Sequence, residues 1–130
     1  PISYNIIERG EPGVAGGGET KFYASAKSTG ETDINQLIER IEKISTVSGA
    51  DIRGVLYALL DVVPSEMADG NIVRMGDLGS FRVSISSEGH ATADEVSSNS
   101  ITDSRIIFSP GDKFNRMLNN LNFEPHNNGS

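Results

Sequence analysis

Residues 13–20, "GVAGGGET", carry the glycine spacing of a phosphate-binding loop. In that chemistry backbone N–H groups cradle the phosphate oxygens, and a lysine after the last glycine neutralises their charge. Here Glu19 stands in the lysine's place. A carboxylate repels phosphate, so the run reads as a flexible hairpin connection. His90 and His126 are the only histidines. Neither has a second histidine at ligand spacing, and a metal needs several converging ligands, so no metal or cofactor is expected. Asp94 and Glu95 are adjacent carboxylates. An acid–base pair needs a pocket that pushes their pKa values apart, whereas these lie in a polar connection and read as surface charge. Asn128-Gly129-Ser130 matches a glycosylation acceptor, without consequence in a cytoplasmic tail. No Ser/His/Asp constellation emerges. No enzyme activity and no small-molecule substrate are expected.

Composition narrows the class. The chain has 130 residues, 36% of them hydrophobic, enough for one domain with an appendage and a modest core. It has no cysteine, which excludes disulfides and thiolate zinc sites. No apolar run approaches the roughly 18 residues that span a bilayer, and no signal peptide is visible. A cytoplasmic location without membrane contact is expected. The net charge of −7 runs against the basic face of most nucleic-acid binders, so the local distribution of charge has to decide.

The elements that position these residues follow from hydrophobic periodicity. Ile2, Tyr4 and Ile6 alternate, as do Phe22, Ala24 and Ala26, giving a hairpin across the glycine run. A lone hairpin is marginal in water, so it should dock on the helices or on a sheet edge. Asp33, with Gln36 three positions on, has capping-box spacing. Ile34, Leu37, Ile38, Ile41 and Ile44 then recur on one helical face. Ser48 should cap a second helix with Asp51 in its first turn. Its stripe is Ile52, Val55, Leu56, Leu59, Val63 and Met67; Pro64 should kink or break it, and Gly70 should end it.

The period then changes to two. "NIVRM" reads as a short strand and "GDLG" as a turn. Along "SFRVSIS", Phe81, Val83 and Ile85 face one way, Arg82 and Ser84 the other. After "RIIFS", Asp112 should cap a last helix bearing Phe114, Met117, Leu118 and Leu121. "NFEP" offers a final short strand, and "HNNGS" reads as a disordered tail. These helices and small sheet give a thin core, which a second copy of the chain would complete.

The motifs sharpen this order into a resemblance. "NIVRMGDLGSFRV" resembles the stretch of the HU/IHF family of histone-like proteins in which a short strand meets a glycine turn and a phenylalanine. "FSPGDKFNRML" resembles that family's Phe-x-Pro-Gly-Lys junction into the last helix. The separation of Phe81 and Phe108 is also close to the family's. The resemblance implies an α+β HU/IHF-like fold: two N-terminal helices, an antiparallel sheet with a protruding β-arm, a short C-terminal helix and an intertwined homodimer. Residues 1–31 would be a hairpin extension, 32–121 the HU-like domain with its arm at about 84–104, and 122–130 a tail. Leu78, Phe81 and Phe108 would lie in the dimer core.

The implied function is nucleoid-associated, architectural binding of duplex DNA with low sequence specificity. Family arms are basic and place an apolar wedge, usually proline, in the minor groove. The stretch 84–104 instead holds Glu88, Asp94, Glu95 and Asp103, with no cation before Arg105 and no proline. The expected contacts therefore move to the body: Arg82 and Arg105 near the arm base, Lys113 and Arg116 at the start of the last helix, and Arg74 and Arg53. The alternative is an HU-derived dimer that serves as a protein-interaction or assembly module with weak or no DNA binding.

Overall fold

The computed structural model describes residues 1–126; residues 127–130, including the Asn128-Gly129-Ser130 acceptor and the end of the expected tail, lie outside the described residues. The order is β1 (Ile2–Gly10), β2 (Thr20–Lys27), α1 (Ile34–Ile44), α2 (Gly49–Ala68), β3 (Val73–Arg74), β4 (Gly79–Ser87), β5 (Ile101–Pro110), α3 (Asp112–Asn119) and β6 (Phe123–Pro125). This is an α+β chain. One correction concerns its start: strands, not helices, are the N-terminal elements, because the alternating residues of β1 and β2 precede the helix pair. Residues 1–34, with the described residues from 119 on, form one compact unit, and residues 35–118 form another.

In the first unit β1 and β2 pair antiparallel, from Ser3 opposite Lys27 to Gly10 opposite Thr20. β6 adds to the other side of β1 in parallel, with Ile2 opposite Phe123 and Tyr4 opposite Pro125. The "NFEP" segment thus supplies the third strand that a marginal hairpin needs, and the His126 N–H donates to the Tyr4 carbonyl at 2.8 Å. The glycine run closes the hairpin through a short 3-10 turn, Ala15–Gly17. Gly10 is required there, because a Cβ on it would meet the Gly17 carbonyl oxygen at 2.6 Å.

In the second unit Ser48 caps α2, its hydroxyl accepting the Asp51 N–H at 3.2 Å. α2 then runs through Pro64 to Ala68; of the expected kink or break, the break does not occur. One missing N–H removes a single rung of the ladder, and the ring joins the helix's apolar side beside Val63 and Phe81. Gly70, at φ +88°, ends the helix as expected. A smaller correction concerns α3. The Asn115 N–H reaches back to the Gly111 carbonyl at 3.0 Å, so Gly111 takes the cap position and Asp112 the first turn.

β3, β4 and β5 form an antiparallel sheet in that order. Phe81 lies opposite Phe108, Val83 opposite Ile106 and Ser84 opposite Arg105. The core is thin: among the described residues only Ile38, Ile52 and Met67 are buried hydrophobics, while Val83, Ile106 and Phe108 are 45%, 66% and 40% exposed. The two motif stretches meet at its end. Gly79 pairs with Pro110, and the Gly111 N–H donates to the Leu78 carbonyl at 3.0 Å. Gly79 sits at φ +141°, and a Cβ there would meet the Ser109 carbonyl oxygen and the Phe108 ring. Gly79 and Gly111, one from each motif, are spacing elements for this contact.

Candidate nucleic-acid interface

Strand register sorts the sheet's side chains onto two faces, since directly opposed residues of an antiparallel pair share a side. Phe81, Phe108, Val83 and Ile106 occupy one face together with Val73, the partner of Phe81. Arg74 opposes Ser80, Ser84 opposes Arg105, and Arg82 shares their phase. Three of the predicted DNA-contacting residues, Arg74, Arg82 and Arg105, therefore stand on one face.

Hydroxyls surround them, with Ile107 opposite Arg82. Ser80, Ser84, Ser86 and Ser109 share the face by register. Arg105 Nη1 donates to Ser86 Oγ at 2.8 Å, which fixes the guanidinium along the ribbon. Arg74 Nη1 reaches Ser80 Oγ at 3.5 Å, a weak contact. Asp103 also lies on this face, opposite Ser86 and 3.9 Å from Arg105. Arginines and serine hydroxyls together are the donor set that grips phosphate oxygens without reading bases. The serines were not singled out from sequence, although their signal was there: Ser80, Ser84 and Ser86 share the alternation phase of Arg82.

The remaining cations are elsewhere. Arg53 sits on α2, its Nη2 donating to Asn35 Oδ1 of α1 at 2.7 Å, so it ties the helix pair together. Lys113 and Arg116 sit three residues apart on α3, on one side of that helix. Phe114 packs edge-on against Phe108 at 5.7 Å, which anchors α3 to the apolar face of the sheet.

The stretch between β4 and β5 differs from an extended arm. Pairing ends at Ser87 opposite Ile101, after a register shift. Residues 88–100 fold into a compact cap with short 3-10 turns at Ala93–Glu95 and Ser98–Ser100. Ser100, 3% exposed, is its hub. Ser100 Oγ accepts the Ser97 N–H at 3.1 Å and bonds His90 Nε2 at 2.9 Å, and the Glu88 N–H donates to the Ser100 carbonyl at 2.8 Å. The sequence did not reveal this constellation, because its spacing fits no helix or strand.

Ser100, His90 and Glu95 stand in the order of a hydrolase triad, yet they cannot act as one. His90 Nδ1 is 3.9 Å from Glu95 Oε2, beyond hydrogen-bond range. The would-be nucleophile is buried and already engaged by the backbone of Ser97. The cluster holds the cap's shape. Among the described residues no group of His, Asp and Glu could hold a metal ion, and no helix is long and apolar enough to cross a membrane. The glycine run leads into a strand instead of a helix N-terminus, and Glu11 beside it pairs with Lys21 at 2.7 Å. That arrangement offers phosphate a carboxylate in place of a helix dipole.

An apolar trough of about 410 Å³ runs along the other face of the sheet, lined by Val63, Pro64, Met67, Phe81, Val83 and Ile106. A helix pair, a three-stranded sheet polar on one face and apolar on the other, and a short last helix joined through a Pro-Gly turn define an HU-type domain. The family model described as HU domain fused to wHTH, Ig, or glycine-rich motif, HU-HIG, matches residues 1–125, and the chain belongs to this family. No curated protein matches the chain. A crystal structure from Bacteroides vulgatus ATCC 8482, provisionally named a bacterial DNA-binding protein, is similar in fold: TM-score 0.66 at 10% identity, over 95% of this chain. The match spans 47% of that protein, so this chain is about half its length.

Proposed function

We propose that the chain is a homodimeric, HU-like nucleoid-associated protein that binds duplex DNA with low sequence specificity. The observation that carries the reading is the division of the β3-β4-β5 sheet into two faces. Arg74, Arg82 and Arg105, with four serines, provide phosphate contacts that position a duplex without reading its sequence. Lys113 and Arg116 extend the cationic set onto α3. The opposite face, with Leu78, Phe81 and Phe108, is the dimer core, and it leaves large hydrophobics exposed that a second copy would cover. The Bacteroides protein's name agrees with DNA as the partner. The proposed chemistry is non-enzymatic, as is usual for HU-domain proteins, and the proposed location is the cytoplasmic nucleoid.

A second reading has its own observation. Glu88, Asp94 and Glu95 all lie in the compact cap, which contains no Lys or Arg and no proline wedge. An acidic cap favours an assembly module that has lost strong DNA binding. Titration of a labelled duplex over a range of salt separates the two. If about two cations per subunit meet phosphates, the dimer neutralises about four, and log K falls with log salt at a slope near −3.6. No binding at about 50 mM salt, where phosphate contacts are strong, would establish the assembly reading instead.

A further inference from the structure

The first sheet ends in an open edge. Its order is β2-β1-β6, so β2 has one side paired with β1 and no described strand on the other. β2 is eight residues long and contains no proline before its end at Lys27. Edge strands of soluble proteins are usually guarded by charges, prolines or bulges against pairing with another chain. Here the guard is weak. Lys21, the cation inside the strand, is drawn back to Glu11 of its own hairpin loop at 2.7 Å. One face of the strand carries Phe22, Ala24 and Ala26, in phase with Tyr4 and Ile6 of β1. Phe22 is 69% and Ile6 71% exposed.

The charges at the two ends of β2 suggest what covers this edge. Glu19 precedes the strand and Lys27 closes it, and both are exposed. Neither makes an ion pair or side-chain hydrogen bond with the described residues. An antiparallel partner related by a two-fold axis beside Tyr23 would set Glu19 against Lys27 of the other strand, twice over. Phe22 would then face Ala24, Lys21 would face Ser25, and Thr20 would face Ala26, each pair on a common side. Moving the axis to Ala24 would put Lys21 against Lys27, a like-charge contact directly across strands. Moving it to Phe22 would leave Lys27 unpaired. The charge pattern is self-complementary in one register.

We infer that β2 pairs antiparallel with β2 of a second copy, about Tyr23, and joins two three-stranded sheets into one six-stranded sheet. This contact uses none of the residues of the Phe81–Phe108 face, so one chain carries two self-association surfaces. Two isologous interfaces on one chain can link copies into longer assemblies. On an HU-type protein that would couple neighbouring dimers.

The chain has no cysteine, so single cysteines report the contact directly. Directly opposed residues in an antiparallel pair have Cα atoms about 4.5–5.5 Å apart, within disulfide reach. Full-length Tyr23→Cys, oxidised at micromolar concentration, is expected to give a covalent dimer in higher yield than Lys21→Cys or Ser25→Cys, whose partners are displaced along the strand. In the Tyr23→Cys background, Glu19→Lys or Lys27→Glu alone should slow cross-linking roughly fivefold, and the two together should restore it. Equal yields at positions 21, 23 and 25, or a double charge swap that restores nothing, would overturn the inference. Tyr23→Ser with the same charge series, read by sedimentation, gives the same test without a disulfide: restored self-association supports it, and no change across the series refutes it.

Discussion

Phe81 and Phe108 stand directly opposite each other on β4 and β5, with ring centroids 4.9 Å apart and planes tilted by 43°. Phe114 closes the group edge-on against Phe108. Offset and edge-on rings are the favoured aromatic arrangements, so the trio fixes the sheet to the last helix. Phe108 nevertheless remains 40% exposed in the single chain. Sedimentation at micromolar concentration is expected to give twice 13.9 kDa, and the denaturation midpoint should rise with protein concentration, as it does when folding and association are linked. A concentration-independent monomer would contradict the proposed dimer. If the proposed dimer buries Phe81 fully, Phe81→Ala should destabilise the protein by about 3–5 kcal/mol, read by denaturant unfolding.

Arg105 is held along the ribbon by Ser86, on the face it shares with Arg82. Changing both arginines to glutamate should abolish duplex binding while leaving the melting temperature within a few degrees, since both are surface residues. Arg53→Ala makes a contrasting control. It removes the bond to Asn35 and should lower stability by about 1 kcal/mol with little effect on the salt slope.

The cap carries three carboxylates, Glu88, Asp94 and Glu95. Replacing them with lysine should raise duplex affinity and steepen the slope of log K against log salt, because each new phosphate contact adds about −0.9. An unchanged slope would place the cap away from bound DNA.

Ser100→Ala removes the hydroxyl that accepts from Ser97 and bonds His90. The Ser97 N–H then loses its partner, at about 0.5–1.5 kcal/mol. The loss should be local. Hydrogen exchange at the Ser97 and Glu88 amides should speed up, while amides of α2 keep their protection.

Gly79→Ala tests the junction of the two motifs. A side chain there must adopt a conformation reserved for glycine and push aside the Ser109 carbonyl and the Phe108 ring. The expected loss is about 2–4 kcal/mol, visible as a lowered melting temperature.

The sequence by itself determined whatever rests on neighbours in the chain. The spacing of Ile34, Ile38 and Ile41 specified α1, and Ser48 with Asp51 specified the start of α2, because caps and helical faces are set within a few residues. Alternation in "SFRVSIS" separated Phe81 from Arg82, since side chains of a strand alternate whatever lies beside it. Family membership was legible for the same reason: its motifs are short, and their glycines answer a local steric demand. Tertiary structure alone decided the rest. The company of Arg74 with Arg82 and Arg105 depends on the register between three strands. β6 lies beside β1 although most of the chain separates them. Pro64 stays inside a helix because the loss of one backbone bond is small against the packing of a whole apolar face. The residues between β4 and β5 close around Ser100 instead of extending, because Ser97, His90 and Glu88 converge on it once both strand ends are held. Each of these outcomes depends on contacts between residues that the order of the chain does not make neighbours.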